Sequence, residues 1–200
     1  MAMDTVKVCF IDVEFVEKNK SAITDFIDKE RLKKAERYID EKDRLLSLGG
    51  SYLIKKFVGD IYIDDNKKPR SKSVFFNVSH SGGKAAIAVS AAGEVGLDIE
   101  KDAPVKRNLV EYCLSDAELE SFNGGQPFLK FFVAKESLAK ADGRGIKSDI
   151  KLIPALPFDG ETYYDGKRYF RRSVATDGYF VSVTLKDKDF EISYETIKSL

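Results

Sequence analysis

Several residue types are scarce in this sequence, and each shortage excludes a class of protein. The 200 residues contain two cysteines, Cys9 and Cys113, and no tryptophan. The cysteines form no C-x-x-C pair or other spacing typical of a zinc site. Each has apolar neighbours, so we expect buried thiols in a reducing compartment.

The chain also lacks an excess of charge and a long apolar run. Lys and Arg number 33, as do Asp and Glu, so the formal net charge is zero. No overall field therefore draws the protein to nucleic acid or to a membrane surface, and a charged partner must meet a local patch. The apolar runs fall far short of the roughly 20 residues of a membrane helix, and residues 1–10 lack the pattern of a signal peptide. We expect a cytoplasmic protein.

What is present is the composition of a globular protein, with 43% hydrophobic and 33% charged residues. A chain of this length can bury a core as one large domain or two small ones. Asp165-Gly166 and Asp177-Gly178 predict hairpin turns between the later strands. Segments rich in β-branched residues predict strands at residues 6–13, 61–63, 73–78, 84–90, 94–99, 162–164, 169–175, 179–185 and 190–194.

Helical patterns are clearest in the first half. Ser21 or Thr24 is a candidate cap for a helix that includes Phe26. Between Asp43 and Phe57, apolar residues recur at spacings of three and four, which predicts an amphipathic helix interrupted or joined at Gly49-Gly50.

The second half of the chain echoes the first. Residues 49–58 resemble residues 124–133, and in both copies Gly-Gly precedes a helix that β-rich sequence follows. Residues 101–108 are polar and helix-breaking, and they divide the chain near its midpoint. We therefore predict two α/β halves, at residues 1–101 and 102–200.

The most informative segment is Asn77-Val78-Ser79-His80-Ser81, followed by Gly96-Leu97-Asp98-Ile99-Glu100. If the second segment is a strand, Asp98 and Glu100 share one face while the alternate apolar side chains are buried on the other. Adjacent carboxylates raise each other's pKa unless a cation lies between them. A hard divalent metal, Mg²⁺ by preference, is the simplest explanation.

A third acid, Glu136, precedes Lys140 by four residues. On a helix the two share one face with Phe132, which lies one turn earlier. An exposed ion pair contributing about 0.3–0.5 kcal/mol is the alternative interpretation. The acid pair earlier in the chain favours a common site instead.

The neighbours of His80, the single histidine, decide how it is interpreted. A lone histidine is more often a structural hydrogen-bonding residue than a catalyst. Ser79, Ser81 and Gly82-Gly83 instead favour a polar concavity suited to phosphate or sugar. A Ser-His hydrolase is disfavoured because the G-x-S-x-G elbow is absent, and the P-loop and Rossmann glycine motifs are absent too.

Lys67-Lys68-Pro69-Arg70 is a basic turn, which alone indicates only a solvated loop. Ahead of a polar pocket, its cations could hold a phosphorylated ligand. Arg31, Lys34 and Arg37, from an earlier helix, could add to the same patch.

Taken in order, Lys68-Pro69, Asn77–Ser81, Gly96–Glu100 and Lys135-Glu136-x-x-x-Lys140 resemble the 4′-phosphopantetheinyl transferases. The resemblance runs from about residue 30 to residue 185 and is to the larger, monomeric type that activates peptide synthetases. It implies a pseudo-twofold α/β (α+β) fold, each half a helix on a small, mostly antiparallel sheet, with the active site in the cleft between them. Ser115 and Glu118 resemble the family's element between its two metal-binding blocks.

The resemblance also implies the reaction. Asp98, Glu100 and Glu136 would hold Mg²⁺, with Mn²⁺ as an acceptable substitute. A serine of an apo acyl or peptidyl carrier protein would attack the β-phosphate of coenzyme A and release adenosine 3′,5′-bisphosphate. Glu136, favoured over a metal-bound water, would take the serine proton, and Lys140 would stabilise the pyrophosphate or protonate the leaving group. The residues implied for coenzyme A are Lys68, Ser79, His80 on the 3′-phosphate, Lys140, Arg31 and Lys34.

Two positions depart from the family pattern. Phe132 stands where the family usually has tryptophan, and Lys67 stands where glycine is usual. Neither change removes a chemical group, but an inactive homologue that binds coenzyme A or carrier protein stays an alternative. A Mg²⁺-dependent phosphohydrolase is another, since the same acids and lysines would serve it.

The carrier partner is usually acidic, so its docking surface should be basic. We expect this docking surface to be formed either by Lys101, Lys106 and Arg107 or by the helix near Lys130.

Overall fold

The fold is given by a computed structural model, which describes residues 3–65, 68–146 and 149–200. Lys67, part of the expected basic turn and one of the two departures from the family pattern, lies outside these ranges. No helix within them is long and apolar enough to cross a membrane. Both cysteines are buried free thiols, as expected.

The chain is a mixture of helices and strands, as predicted. The helices are α1 (Val13–Lys18), α2 (Lys20–Phe26), α3 (Lys29–Glu36), α4 (Glu41–Phe57), α5 (Arg107–Cys113), α6 (Asp116–Asn123) and α7 (Phe128–Asp142). The strands are β1 (Asp4–Asp12), β2 (Tyr62–Ile63), β3 (Pro69–Arg70), β4 (Phe75–Ser81), β5 (Lys84–Ser90), β6 (Val95–Lys101), β7 (Gly160–Tyr164), β8 (Lys167–Thr176), β9 (Tyr179–Lys186) and β10 (Phe190–Thr196).

The first sheet has the strand order β10-β1-β5-β4. Its pairs are antiparallel except that β10 runs parallel to β1. Helix α4 packs on this sheet through the apolar face that its spacing predicted, with Leu48 and Leu53 almost fully buried. Asp40 begins α4, accepting a hydrogen bond from the Asp43 N–H at 3.1 Å.

Gly49 and Gly50 lie inside α4, so of the two predicted alternatives the helix is joined at this pair and not interrupted. A Cβ at Gly49 would stand 3.1 Å from methyl carbons of Ile11 and Val16. The absence of a side chain therefore lets the helix lie close to the sheet. The matching pair Gly124-Gly125 lies instead between α6 and α7, so the glycine pairs of the sequence echo do not occupy equivalent places.

The predicted cap of the first helical region is wrong. Ser21 and Thr24 both lie inside α2, and its N-cap is Asn19. Thr24 instead donates its hydroxyl to the carbonyl of Ser21 at 2.8 Å. Such a bond within the first turns is a common alternative to capping for these residue types.

The second sheet has the order β6-β9-β8-β7 and is antiparallel throughout. Both predicted hairpins are confirmed. Asp165 and Gly166 have φ angles of 51° and 70°, and Asp177 and Gly178 have 51° and 74°. Two successive positive φ angles are typical of the type I′ turns that join tightly twisted strands.

Each sheet takes one strand from the other side of residue 101. Strand β6 belongs to the second sheet, and β10 joins the first. The edge strands β4 and β6 lie side by side, and the Leu97 N–H donates to Asn77 Oδ1 at 3.1 Å. The division at residue 101 and the pseudo-twofold relation stay predictions, while the sheets themselves exchange a strand across it.

Strand β6 also lies very close to α7. A Cβ at Gly96 would stand 1.9 Å from the carbonyl oxygen of Ser137 and 2.5 Å from the backbone nitrogen of Ala141. Glycine therefore permits a contact between strand and helix backbones that no other residue would allow. This contact sets the face of α7 that carries Glu136 and Lys140 next to the β4–β6 seam.

Candidate functional site

Two serines of β4 hold the two acids of β6. Ser79 Oγ donates to Asp98 Oδ1 at 2.8 Å, and Ser81 Oγ donates to Glu100 Oε2 at 2.6 Å. The alternation of strand side chains explains the pattern, because residues two apart on β4 face residues two apart on β6. The serines of the motif therefore orient carboxylates across the seam.

Lys140 reaches the same point from α7. Its Nζ donates to Asp98 Oδ1 at 2.7 Å, to Ser79 Oγ at 3.2 Å and to the carbonyl of Leu97 at 3.1 Å. The side chain of Asp98 is 5% exposed, whereas that of Lys140 is 26% exposed. Lys140 therefore pairs with Asp98, which agrees with the common site rather than with the alternative of an exposed Glu136–Lys140 ion pair.

Glu136 completes the cluster one turn before Lys140. Desolvation raises the pKa of Glu136, and the negative charges of Asp98 and Glu100 raise it further, against the opposing effect of Lys140. These residues share a cavity of about 320 Å³. Its walls are Val78, Ser79, His80, Asp98, Glu100, Phe132, Glu136 and Lys140.

The donor set fits a divalent cation. Asp98 Oδ2 is buried and has no hydrogen-bond partner within the described ranges. Desolvation raises the pKa of Glu100 and the charge of Asp98 raises it further, against the opposing effects of Ser81 and Lys140. Among the residues that the structure describes, no three acid, histidine or cysteine side chains stand close enough together to ligate an ion. The side chains of Glu100 and Glu136 would have to turn toward Asp98 to do so.

A second, basic cavity adjoins the acidic one at His80, which is exposed and lines both. Desolvation lowers the pKa of His80, and the charge of Lys140 lowers it further. Arg31 and Lys34 reach this cavity from α3, and desolvation lowers the pKa of each. The cavity has about 260 Å³ and is lined by Arg31, Lys34, Tyr38, Leu46, Ser47, Gly50, Ser51, Ile54, Lys68, Pro69, Phe76, Asn77, Val78 and His80.

The structure places every residue that the resemblance implies for the metal ion, for coenzyme A and for catalysis around two adjoining cavities, whereas Arg37 lines neither of them. Two of these residues have unexpected neighbours. Ser79 lines the acidic cavity, where it contacts Asp98 and Lys140, and it does not line the basic one. Lys68 lines the basic cavity, yet its Nζ donates to Glu94 Oε2 at 3.2 Å and to the carbonyl of Lys140 at 3.0 Å.

Sequence reasoning missed a buried charged cluster behind α7. Lys135 is fully buried, and its Nζ lies 2.7 Å from Glu118 Oε2. Lys135 also donates to the carbonyls of Ile150 and Ile153 at 3.2 and 2.5 Å. Glu118, with Ser115, forms the capping box that begins α6. Ser115, Glu118 and Lys135 therefore support the helix that carries the site.

Comparison with known proteins gives two matches. Residues 94–192 match the family model described as the 4′-phosphopantetheinyl transferase superfamily. A protein of Synechocystis sp., provisionally named a 4′-phosphopantetheinyl transferase, is 32% identical over 108 residues. That match covers 46% of this chain and 44% of the relative, so it spans less than half the relative's length.

Proposed function

Residues 94–192 belong to the 4′-phosphopantetheinyl transferase superfamily, and from that premise we propose that this protein transfers 4′-phosphopantetheine from coenzyme A to a serine of an apo carrier protein. It does so as a cytoplasmic monomer of the larger type. The observation that supports this reaction best is the pairing of two cavities. An acidic one, with Asp98, Glu100 and Glu136, opens at His80 into a basic one.

The basic cavity suits the adenosine bisphosphate end of coenzyme A. Arg31, Lys34 and His80 offer nitrogen donors along its walls. Charge-assisted hydrogen bonds from such groups are the strong contacts that hold phosphates. The ligand's pyrophosphate then lies toward Ser79 and Lys140, where the two cavities meet.

Asp98, Glu100 and Glu136 are the residues that would hold Mg²⁺. When bound, the ion would act as a Lewis acid on the pyrophosphate and neutralise charge on the leaving group. Carboxylate oxygens are the ligands that Mg²⁺ and Mn²⁺ prefer. The buried, unpartnered Oδ2 of Asp98 is the atom that most needs such a partner.

Two side chains of the protein take part in the reaction, Glu136 as the base and Lys140 as the group that stabilises developing negative charge. Desolvation raises the pKa of Glu136, which makes its carboxylate a stronger base for the carrier serine proton. The serine oxygen then forms a bond to the β-phosphorus, and the bond to the adenosine bisphosphate oxygen breaks. Lys140 stabilises the negative charge that develops on that leaving oxygen.

Intact-protein mass spectrometry tests the proposal. An apo acyl carrier protein incubated with this protein, coenzyme A and Mg²⁺ should gain one phosphopantetheine, while a carrier whose acceptor serine is alanine should gain none. Bound coenzyme A with no product across several carriers would instead favour a binding-only homologue. Cleavage of coenzyme A without a carrier would favour a phosphohydrolase.

We expect the affinity for coenzyme A to depend on the protonation of His80. The free side chain has a lowered pKa, so it is neutral near pH 7, and a neighbouring phosphate would raise that pKa and draw a proton onto it. Binding should therefore weaken as pH rises, by about threefold between roughly pH 6.5 and 8. Isothermal titration calorimetry in two buffers measures both the affinity and the proton uptake.

Two matched controls test whether His80, rather than another titrating group, causes the pH dependence of the affinity for coenzyme A. His80→Gln with coenzyme A, and the unchanged protein with 3′-dephospho-coenzyme A, should both show a flat profile over this range. If His80→Gln keeps the slope of the unchanged protein, His80 does not contact the 3′-phosphate.

We propose that the carrier protein docks on the basic patch near the start of α5. Lys106 is the N-cap of α5, and Arg107 pairs with Glu111 at 2.8 Å beside the exposed Tyr112. Reversing both charges, by Lys106→Glu with Arg107→Glu, should weaken carrier binding about tenfold at low salt and little at high salt. Surface plasmon resonance at two ionic strengths measures this, and unchanged binding at low salt would remove α5 from the interface.

A further inference from the structure

A chain of charged side chains holds the end of α7, and the proposed reaction does not account for it. Lys68 Nζ donates to the carbonyl of Lys140 and to Glu94 Oε2. Arg70 pairs with the other oxygen of Glu94 and donates from Nε to Asp64 Oδ2 at 2.8 Å. We call Asp64, Lys68, Arg70 and Glu94 the α7 latch.

The α7 latch supplies a hydrogen bond to the C-terminal end of α7, where the backbone carbonyls lack partners within the helix. The last four carbonyls of a helix have no partner within it. In α7 the carbonyl of Ala139 receives the N–H groups of Gly143 and Gly145, at 3.1 and 3.3 Å. The next carbonyl, that of Lys140, receives Lys68 instead. A cation there also meets the negative end of the helix dipole.

The side chains of Lys68, Arg70 and Glu94 in the α7 latch are largely buried. The Lys68 side chain is 13% exposed, and those of Arg70 and Glu94 are 24% and 28% exposed. Asp64 lies against Lys68, accepting the Lys68 N–H at 2.9 Å while its own N–H donates to the Lys68 carbonyl at 3.0 Å. If Lys68 swung toward a ligand, it would leave two half-buried acceptors without their donor.

We propose that Lys68 and Glu94 are positioning residues, which fix the last turn of α7 and thereby the place of Lys140 against Asp98. Lys140 is then anchored at both ends, with its carbonyl on Lys68 and its Nζ on Asp98. The kinetic consequence rests on the proposed transfer reaction, whereas the structural consequence does not. The family resemblance, by contrast, implies Lys68 as a ligand of coenzyme A.

Glu94 separates a role in positioning α7 from a role in binding coenzyme A, because it lines neither of the two cavities. Glu94→Ala should speed amide hydrogen exchange at residues 141–146 about tenfold. It should also lower kcat about tenfold, while the Kd for coenzyme A changes less than about twofold. Glu94→Gln, which keeps an acceptor for Lys68, should recover most of both losses.

Lys68→Met provides the second arm of the test. It should speed exchange in the same segment, and the double variant with Glu94→Ala should be no worse than the more affected single variant. Glu195→Ala is the matched control, since it removes an ion pair at 2.6 Å with Lys7 far from α7. It should leave both exchange at 141–146 and kcat unchanged.

The result that overturns the latch is wild-type exchange and wild-type kcat in Glu94→Ala. Weakened coenzyme A binding in Lys68→Met, with exchange unchanged, would overturn it in favour of a ligand role. If the unchanged protein modifies no carrier, the proposed function fails, while the exchange measurement still decides whether Lys68 and Glu94 hold α7.

Discussion

Replacing Asp98 with asparagine is expected to slow transfer to the carrier on the order of 10³-fold. Asparagine keeps an oxygen for the hydrogen bonds from Ser79 and Lys140, at 2.8 and 2.7 Å, so the fold should be retained. It removes the charge on which the proposed Mg²⁺ site depends. The rate of carrier mass gain at saturating coenzyme A measures the loss, and electron paramagnetic resonance of Mn²⁺ measures metal binding.

Asp189→Asn is the matched control for the same chemical change. Asp189 is 45% exposed at its side chain and pairs with Arg172 at 2.6 Å on the second sheet, and we expect the wild-type rate. A rate for Asp98→Asn within about tenfold of wild type, with Mn²⁺ binding intact, would show that this carboxylate only holds Lys140.

Replacing Gly96 with alanine is expected to lower the free energy of unfolding by about 3 kcal/mol. The new methyl group would overlap the backbone of Ser137 and Ala141, and backbone atoms in a packed helix cannot turn aside as a side chain can. Helix α7 must move away from β6, which also carries Glu136 and Lys140 away from Asp98. Urea denaturation measures the stability, and the carrier assay measures the accompanying loss of rate.

Gly93→Ala separates this effect from the general consequences of replacing glycine. A Cβ at Gly93 would stand 3.4 Å from its nearest neighbour, the carbonyl oxygen of Lys186, which is close to ordinary contact. We expect its unfolding free energy within about 0.5 kcal/mol of wild type. Equal stability of the two variants would mean that α7 does not depend on the close contact at Gly96.

Local patterns predicted most of the elements. The alternation around Asp98 and Glu100 placed them on a strand, and the four-residue spacing of Glu136 and Lys140 placed them on a helix, because each period depends only on neighbours in sequence. The hairpins at residues 165–166 and 177–178 followed from Asp-Gly turns for the same reason.

The contacts between elements could not be predicted in this way. Nothing local indicates that β4 lies beside β6, so the serines of the motif were expected to bind a ligand and in fact hold two carboxylates. The pairing of Lys140 with Asp98 likewise depends on how α7 crosses the sheet. Tertiary contacts decide which of several polar partners a side chain takes.

The burial of Lys135 could not be predicted from the local sequence either. A charged residue within a functional motif suggests exposure to the site, yet helix geometry turns Lys135 into the core, where Glu118 and two carbonyls satisfy it. A buried ammonium is costly without such partners. Those partners lie 15 or more positions away in the chain, so the sequence around Lys135 carries no signal of them.

The parallel pairing of β1 with β10 has a consequence for biosynthesis. Residues 4–10 are synthesised long before their partners at 190–196. Until then one edge of the first sheet has open hydrogen-bonding groups, a feature that favours pairing with other chains. The first sheet is therefore completed only once β10 has been synthesised, and until then the nascent chain has an edge strand in need of protection.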